Sequence, residues 1–475
     1  MTYLEQSFPG ARFEEGSFRD RSGRIVYSAG TVFRVLSDEA LTVWESLSEK
    51  KFFKELMSQG KLVATERVGN DTLKNFDSAE NWAAVLKHEK IPFVSYPYEW
   101  TFSMLKDAAI LQLELLTASL REGFILKDAT PYNVQWKGAN PVFIDILSFK
   151  QLSKGEPWTG YKQFCEMFLF PLLLISHKDI PFHSWMRGSI DGIPVESFAR
   201  LLSLKDLLKR GVFMHAYLQS KLQNKYGNNR SSVRTELKSV GFSEELIRRN
   251  ILGLRKIVEG LEWRRVKSEW SDYASDNTYT SEDHEKKADF VRKAAESKHW
   301  KLAWDLGCNV GIFSRIAAKN SDYVVAMDAD HLTIERLYHE LEKEKSQNIL
   351  PLVMNLADSS PGLGWRGQER KSMLERGKPD LILCLALIHH MVISANIPLH
   401  EFVRWLSEIG ASVVIEFPLK EDAMVRHLLR NKDDQYSEYT LPEFEKLISK
   451  HFHVQAREEL SSQTRVLFFL QPKAQ

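Results

Sequence analysis

Cysteine is scarce in this chain. Only Cys165, Cys308 and Cys384 occur among 475 residues, far apart and with no C-x-x-C pair. That argues against a disulfide framework or a zinc site and fits a reducing, cytoplasmic setting. Net charge is missing as well: 64 basic against 63 acidic residues leave +1, so nothing global draws the chain to nucleic acid or a membrane surface. No basic stripe with interleaved aromatics stands out, and nucleic acid is not an expected partner. Long apolar runs are also lacking. The most apolar stretch, FCEMFLFPLLLIS (164–176), contains Glu166 and Pro171 and falls short of the roughly twenty residues that cross a bilayer. It predicts a buried helix, not a membrane span. The first residues, MTYLEQSFPGARF, are polar and mixed in charge, unlike a signal or transit peptide.

What is there is an ordinary globular composition, 43% hydrophobic and 27% charged, in a chain too long for one core. Residues 1–160 mix strand-like runs (RIVYSAGTVFRVLS, KLVATERV) with a helix-like one (ALTVWESLSEKKFFKELM) and predict an α+β domain. Within it TFSMLKDAAILQLELLTASL (101–120) predicts one long amphipathic helix. Residues 161–267 read as a mainly helical extension punctuated by KYGNNRSS. The polar stretch SEWSDYASDNTYTSEDHEKK then leads into a last domain, 268–475. There LAWDL, YVVAMD, ILPLVM, PDLILCLAL and ASVVIEF alternate with helix-length segments, the rhythm of βαβ units around a parallel sheet. HFHVQAREEL and TRVLFFLQ, separated by a short polar turn, add an antiparallel hairpin.

Strand, loop and helix meet at DLGCNVGIFS (305–314), where Asp305, Gly307 and Gly311 stand around Cys308 and Asn309. Glycines there let a ligand approach the backbone closely. The dinucleotide fingerprint G-x-G-x-x-G is absent, which disfavours a nicotinamide cofactor. A leading carboxylate suits a cationic group, such as an amine, better than a pyrophosphate. Asp328, followed by Ala329, ends the next strand 23 positions on, about the spacing of a residue that binds ribose hydroxyls. Asp358, after the third strand, is placed to accept from an adenine amino group.

Together DLGCNVG, VVAMDAD, NLAD and the closing hairpin resemble the class I S-adenosylmethionine-dependent methyltransferases over roughly residues 268–472. The resemblance implies a Rossmann-like, seven-stranded α/β sheet and S-adenosyl-L-methionine as cofactor. By it Asp305, Gly307 and Gly311, with Cys308 and Asn309 between them, line the methionine end. Asp328 and Ala329 face the ribose, and Leu356, Ala357 and Asp358 frame the adenine. LCLALIHHMV puts His389 and His390 at the carboxyl end of the fourth strand, where ligands of open α/β sheets bind. One of them is the candidate base for a hydroxyl acceptor. Glu416, at the end of VVIEF, is open to three roles: orienting a histidine, binding an amine acceptor, or facing solvent. No metal is expected, because adjacent side chains diverge. Trp270, Tyr273 and Tyr279 are candidates for an aromatic lid. The expected activity is methyl transfer to a small-molecule or carbohydrate-like acceptor, an O-methylation on the strength of the histidine pair.

The first half poses a separate question. In FILKDATPYNVQWKGANPVFIDILSF, Asp128 and Asn133 are five apart on a loop, and Asp145 follows in an apolar strand. That is the D-x-x-x-x-N spacing of a kinase catalytic loop with its metal-binding aspartate. The segment resembles the lower lobe of the protein-kinase and aminoglycoside-phosphotransferase superfamily across roughly 91–175. The resemblance implies Asp128 as base and Asn133 and Asp145 as metal ligands. It departs from the pattern in lacking a G-x-G-x-x-G loop, an evident V-A-I-K lysine and the H-R before the aspartate. Acceptor recognition or scaffolding, a phosphotransferase or nucleotide-binding domain, and a non-catalytic partner role all stay open for this half.

Overall fold

The computed structural model describes residues 12–69, 82–209, 211–218, 244–265, 267, 281–430, 432 and 435–473. They fall into two compact units that the chain does not visit in simple succession. The first takes in Met1–Trp136, Pro141–Arg264 and a late return, Leu363–Arg370. The second takes in Arg265–Gly362 and Lys371–Gln475, together with a short early loan, Lys137–Asn140. A single boundary near residue 268 therefore does not describe the division, and 161–264 belongs with the first unit.

The first unit opens with a five-stranded antiparallel sheet. Its strands are β1 (Arg12–Phe13), β2 (Gly23–Ser28), β3 (Thr31–Leu36), β4 (Thr65–Arg67) and β5 (Ala84–His88), in the order β1-β2-β3-β5-β4. Ala29 and Gly30, both at positive φ, make the two-residue turn between β2 and β3, the geometry that matches the twist of a hairpin. The long helix Phe102–Leu120 follows, capped by the Thr101 hydroxyl, which accepts from the Met104 amide. It is a helix as expected but not an amphipathic one: its buried residues, among them Met104, Ala108, Gln112, Leu115 and Ser119, lie all round it, as in a central core helix. Two hairpin-like pairs come next. They are β6 (Phe124–Leu126) with β9 (Phe149–Gln151), and β7 (Val134–Lys137) with β8 (Asn140–Phe143). Asp145 lies beyond β8 and precedes the 3-10 turn Ile146–Ser148; it is not within a strand as expected. The apolar run 164–176 is buried helix, and among the described residues no helix is long and apolar enough to cross a membrane.

The second unit is built on a sheet of seven strands: β10 (Trp300–Leu306), β11 (Ser321–Asp328), β12 (Ile349–Val353), β13 (Leu381–Cys384), β14 (Ser412–Pro418), β15 (Phe452–Glu459) and β16 (Arg465–Pro472). Their order is β12-β11-β10-β13-β14-β16-β15. The first five run parallel, and β16 pairs antiparallel with both β14 and β15. All seven residues of β14 and all five of β12 are buried, as expected of strands covered on both faces. The register sets Asp305 beside Ala326 and Leu383, and Cys384 beside Ile415. The carboxyl ends of β10, β11, β13 and β14 thus form one edge.

Candidate cofactor and acceptor site

Asp305 is the penultimate residue of β10, lies among apolar neighbours and is 2% exposed. Its hydrogen-bond partner is the Ser314 hydroxyl, which donates at 2.6 Å. Burial is the main reason its carboxyl is pushed up to about 7. Asp328 adds to that rise, while the Ser314 hydroxyl and the Lys287 ammonium oppose it. Among the described residues no cation pairs with it directly. A buried carboxylate without its own cation is the chemistry that a ligand amine completes.

Gly307 and Gly311 both sit at φ +74°, and Asn309 at +50°, so the loop backbone turns repeatedly through the left-handed region. Gly307 is required by conformation alone, since a Cβ there would meet Leu387 at an ordinary 3.4 Å. Gly311 is required twice over, because a Cβ would lie 2.7 Å from Leu337 Cδ1. The loop is stitched to the end of β11. The Asn309 amide donates to Asp328 Oδ2 at 3.0 Å, and the Asp330 amide donates to Asp328 Oδ1 at 2.9 Å. Burial pushes the Asp328 carboxyl up, and these amides pull it back. Each of its oxygens keeps accepting capacity for a further donor. Cys308 is buried, Ala329 is exposed, and the Met354 amide donates to the Asp328 carbonyl at 2.8 Å. That bond ties in the end of β12, and Leu356, Ala357 and the exposed Asp358 follow in a 3-10 turn capped by Asn355. The residues expected to hold the two ends of a nucleoside are thus linked, strand end to strand end.

The histidines follow β13 and differ sharply. His389 has no exposed surface, and among the described residues neither ring nitrogen has a hydrogen-bond partner. Burial holds it well below the ordinary range, unprotonated. The half-buried His390 lies with its ring centroid 4.2 Å away and is lowered to about 4, by burial first and the Arg465 charge second. Only His390 of the pair presents surface.

Glu416 does not face solvent. It is 0% exposed, with Lys287 Nζ at 2.6 Å and Arg465 Nη1 at 3.2 Å. Arg465 also donates to Asp422 from Nε at 2.7 Å and Nη2 at 3.1 Å. Sequence reasoning missed Lys287, Arg465, Asp422 and Ser314. The available signal was Arg465 at the head of the apolar run RVLFFL, where an isolated charge needs a buried partner. Trp270, Tyr273 and Tyr279 lie outside the described residues.

In the first unit Asp128, Asn133 and Asp145 gather around the loop that follows β6. The Asn133 carbonyl accepts from the Ile144 amide at 2.8 Å. Burial raises the Asp128 carboxyl; Lys127 opposes this, and Asp145 and Asp20 add to it. Asp145 accepts from Arg34 Nη1 at 3.0 Å, and Asp20 accepts from the same nitrogen at 3.4 Å. Arg34, on β3, and Asp20 were not singled out in the sequence. Among the described residues no cluster of three His, Cys, Asp or Glu side chains is arranged to hold a metal ion.

Sheet order, glycine loop and acidic strand ends make the second unit a methyltransferase-like α/β fold. No family model matches the chain. A relative of known name does: nodulation protein NoeA of Rhizobium meliloti (strain 1021) is 34% identical over 455 residues, 95% of this chain and 94% of its own length. The chain belongs to the NoeA family. Among solved structures, the N-methyltransferase NodS from Bradyrhizobium japonicum WM9 aligns at 11% identity over 42% of this chain and 99% of its own, with a TM-score of 0.30. Magnesium protoporphyrin IX methyltransferase from Synechocystis PCC 6803, solved with bound SAM, aligns at 15% identity over 44% and 86%, with a TM-score of 0.29.

Proposed function

We propose that the chain is an S-adenosylmethionine-dependent methyltransferase that O-methylates a small-molecule or carbohydrate-like acceptor in the process NoeA is named for, nodulation. One observation carries the reading: a buried carboxylate, Asp305, heads a positive-φ glycine loop that is hydrogen-bonded to a second acidic strand end, Asp328. The residues suit the cofactor. Asp305 meets a cationic amine, Asp328 meets hydroxyls, Gly307 leaves the backbone bare, and Leu356 to Asp358 lie beyond the next strand. When bound, the cofactor supplies a methyl group that is already electrophilic.

The protein's share is to orient the acceptor and take its proton. His390 is the base, since His389 has no exposed surface. Held unprotonated down to about pH 4, His390 is in the accepting form throughout the neutral range. His390→Ala is expected to lower kcat by roughly 100-fold or more while calorimetric binding of S-adenosylhomocysteine stays unchanged. Undiminished turnover in that variant removes His390 as the base.

A second reading concerns the first unit, where the sheet order β1-β2-β3-β5-β4 is followed by a central helix and the β6–β9 and β7–β8 pairs. This supports a kinase-like phosphotransferase or nucleotide-binding unit. Arg34, the basic residue on β3, is ion-paired to Asp145, which supplies the strand-borne cation the sequence did not show. In this reading ATP with magnesium raises the melting temperature, and Asp145→Asn cancels the rise. No change in the wild type leaves the first unit to acceptor recognition or scaffolding.

A further inference from the structure

Four charged side chains lie almost entirely out of water behind the carboxyl edge of the second unit's sheet. Lys287 and Glu416 are 4% and 0% exposed, Arg465 and Asp422 2% and 3%. Two cations and two anions balance one another, joined at 2.6, 3.2, 2.7 and 3.1 Å. Buried ion pairs of this kind seldom add net stability over apolar packing, so their position calls for another explanation.

Lys287 reaches this cluster from the helix Ser281–Glu296, which enters the unit ahead of β10. Its ammonium also stands 4.9 Å from the ring centroid of Phe313. Phe313 is the neighbour of Ser314, whose hydroxyl donates to Asp305. The lysine therefore borders both the ion cluster and the first turn after the glycine loop. The groups acting on Asp305 come from every side. They are Ser314 from the following helix, Asp328 from β11, and the Cys308 and Cys384 thiols, both pushed up by burial and so uncharged. Lys287 is the cation among them: burial pulls its ammonium down, the Glu416 carboxylate holds it up, and its charge favours the ionised form of Asp305.

We infer that Lys287 is a positioning residue that connects the buried ion cluster to the head of the glycine loop and keeps Asp305 a carboxylate for a cationic ligand. The inference rests on the cofactor reading above, with the ligand's amino group as the cation. Glu416 then has a task distinct from acceptor chemistry: it holds the Lys287 ammonium in place, and Arg465 and Asp422 fix Glu416. A ligand that needs the ionised carboxylate loses about tenfold in affinity for each pH unit below the apparent pKa of Asp305. Removing Lys287 moves that pH upward.

The test is calorimetric binding of S-adenosylhomocysteine to the full-length protein between pH 5.5 and 9. In the wild type, affinity is expected to fall on the acid side of a midpoint. Lys287→Met is expected to raise the midpoint by about one pH unit and to weaken binding about fivefold at pH 7 and about tenfold at pH 5.5. Lys287→Arg restores the wild-type midpoint. Should Lys287→Met fold poorly, the double variant Lys287→Met/Glu416→Gln removes the pair together and leaves no unpaired charge; an upward displacement of the midpoint smaller than that of Lys287→Met is expected, because the opposing Glu416 charge goes with it. A merely structural lysine would lower affinity equally at every pH. An unmoved midpoint in the folded variants overturns the inference while leaving the cofactor reading intact. Wild-type protein that binds no S-adenosylhomocysteine at any pH overturns both.

Discussion

Asp305→Asn is expected to abolish S-adenosylhomocysteine binding and, at pH 8, to make the ligand-free protein more stable than the wild type. The carboxyl is pushed from an ordinary 3.8 up to about 7, mostly by the cost of burying its charge. The sign follows from proton linkage. A carboxyl whose folded pKa is raised contributes stability that is full below its ordinary range and is lost as pH rises through about 7. Above that pH the folded wild type carries a buried anion, and the amide carries none. At about 1.4 kcal/mol for each pH unit between the two values, the ceiling on this effect is roughly 4 kcal/mol. Asparagine keeps an oxygen to accept from the Ser314 hydroxyl, so the hydrogen bond at 2.6 Å has a successor. Calorimetric unfolding from pH 5 to 8 reads the effect. The wild-type advantage from this group shrinks with rising pH, and the variant's melting temperature is flatter over the same interval. A variant that unfolds below the wild type at pH 8, or that still binds the ligand tightly, contradicts the role given to Asp305.

The second large effect is expected from Arg465→Met. The guanidinium holds Glu416 and both oxygens of Asp422 in a region with almost no solvent access. Methionine fills similar space and leaves two carboxylates with the single cation Lys287. Breaking a buried pair in this way costs about 3–5 kcal/mol, or on the order of 10 °C in the melting temperature of a unit this size. Arg404→Met is the control: its ion pairs with Glu401 and Glu408 lie where the arginine side chain is 58% exposed, and its loss is expected to cost under about 1 kcal/mol. Equal effects from the two substitutions would show that the buried cluster contributes no more than a surface pair.

The sequence exposed those features that are local in the chain. The strands of the second unit were visible because each is a short apolar run, and DLGCNVG because its glycines and acid lie within seven residues. The burial of Glu416 could not be read because its partners are distant: Lys287 precedes it by 129 residues and Arg465 follows by 49. In sequence Lys287 sits in SEDHEKKADF among solvated charges, with nothing to distinguish it from Lys286. The histidine pair is plain in the sequence, but which member presents surface depends on burial, which adjacency conceals. In the first unit spacing alone singled out Asp128, Asn133 and Asp145, whereas Arg34, which pairs with Asp145 from 111 residues upstream, was passed over because a lysine was sought.

The loaned segments bear on how this protein can change over time. Lys137–Asn140 interrupts the stretch between Asn133 and Asp145, yet it is the second unit that holds it. There the Gly138 amide donates to the Tyr323 hydroxyl at 3.0 Å, and a Cβ on Gly138 would meet the Ser346 carbonyl at 2.4 Å. In return Leu363–Arg370 belongs to the first unit, with Arg370 over the ring of Tyr132 and Glu369 ion-paired to Arg19. No single break in the gene releases either unit whole. A single crossover that swaps one half for a foreign counterpart removes a piece of the half it keeps.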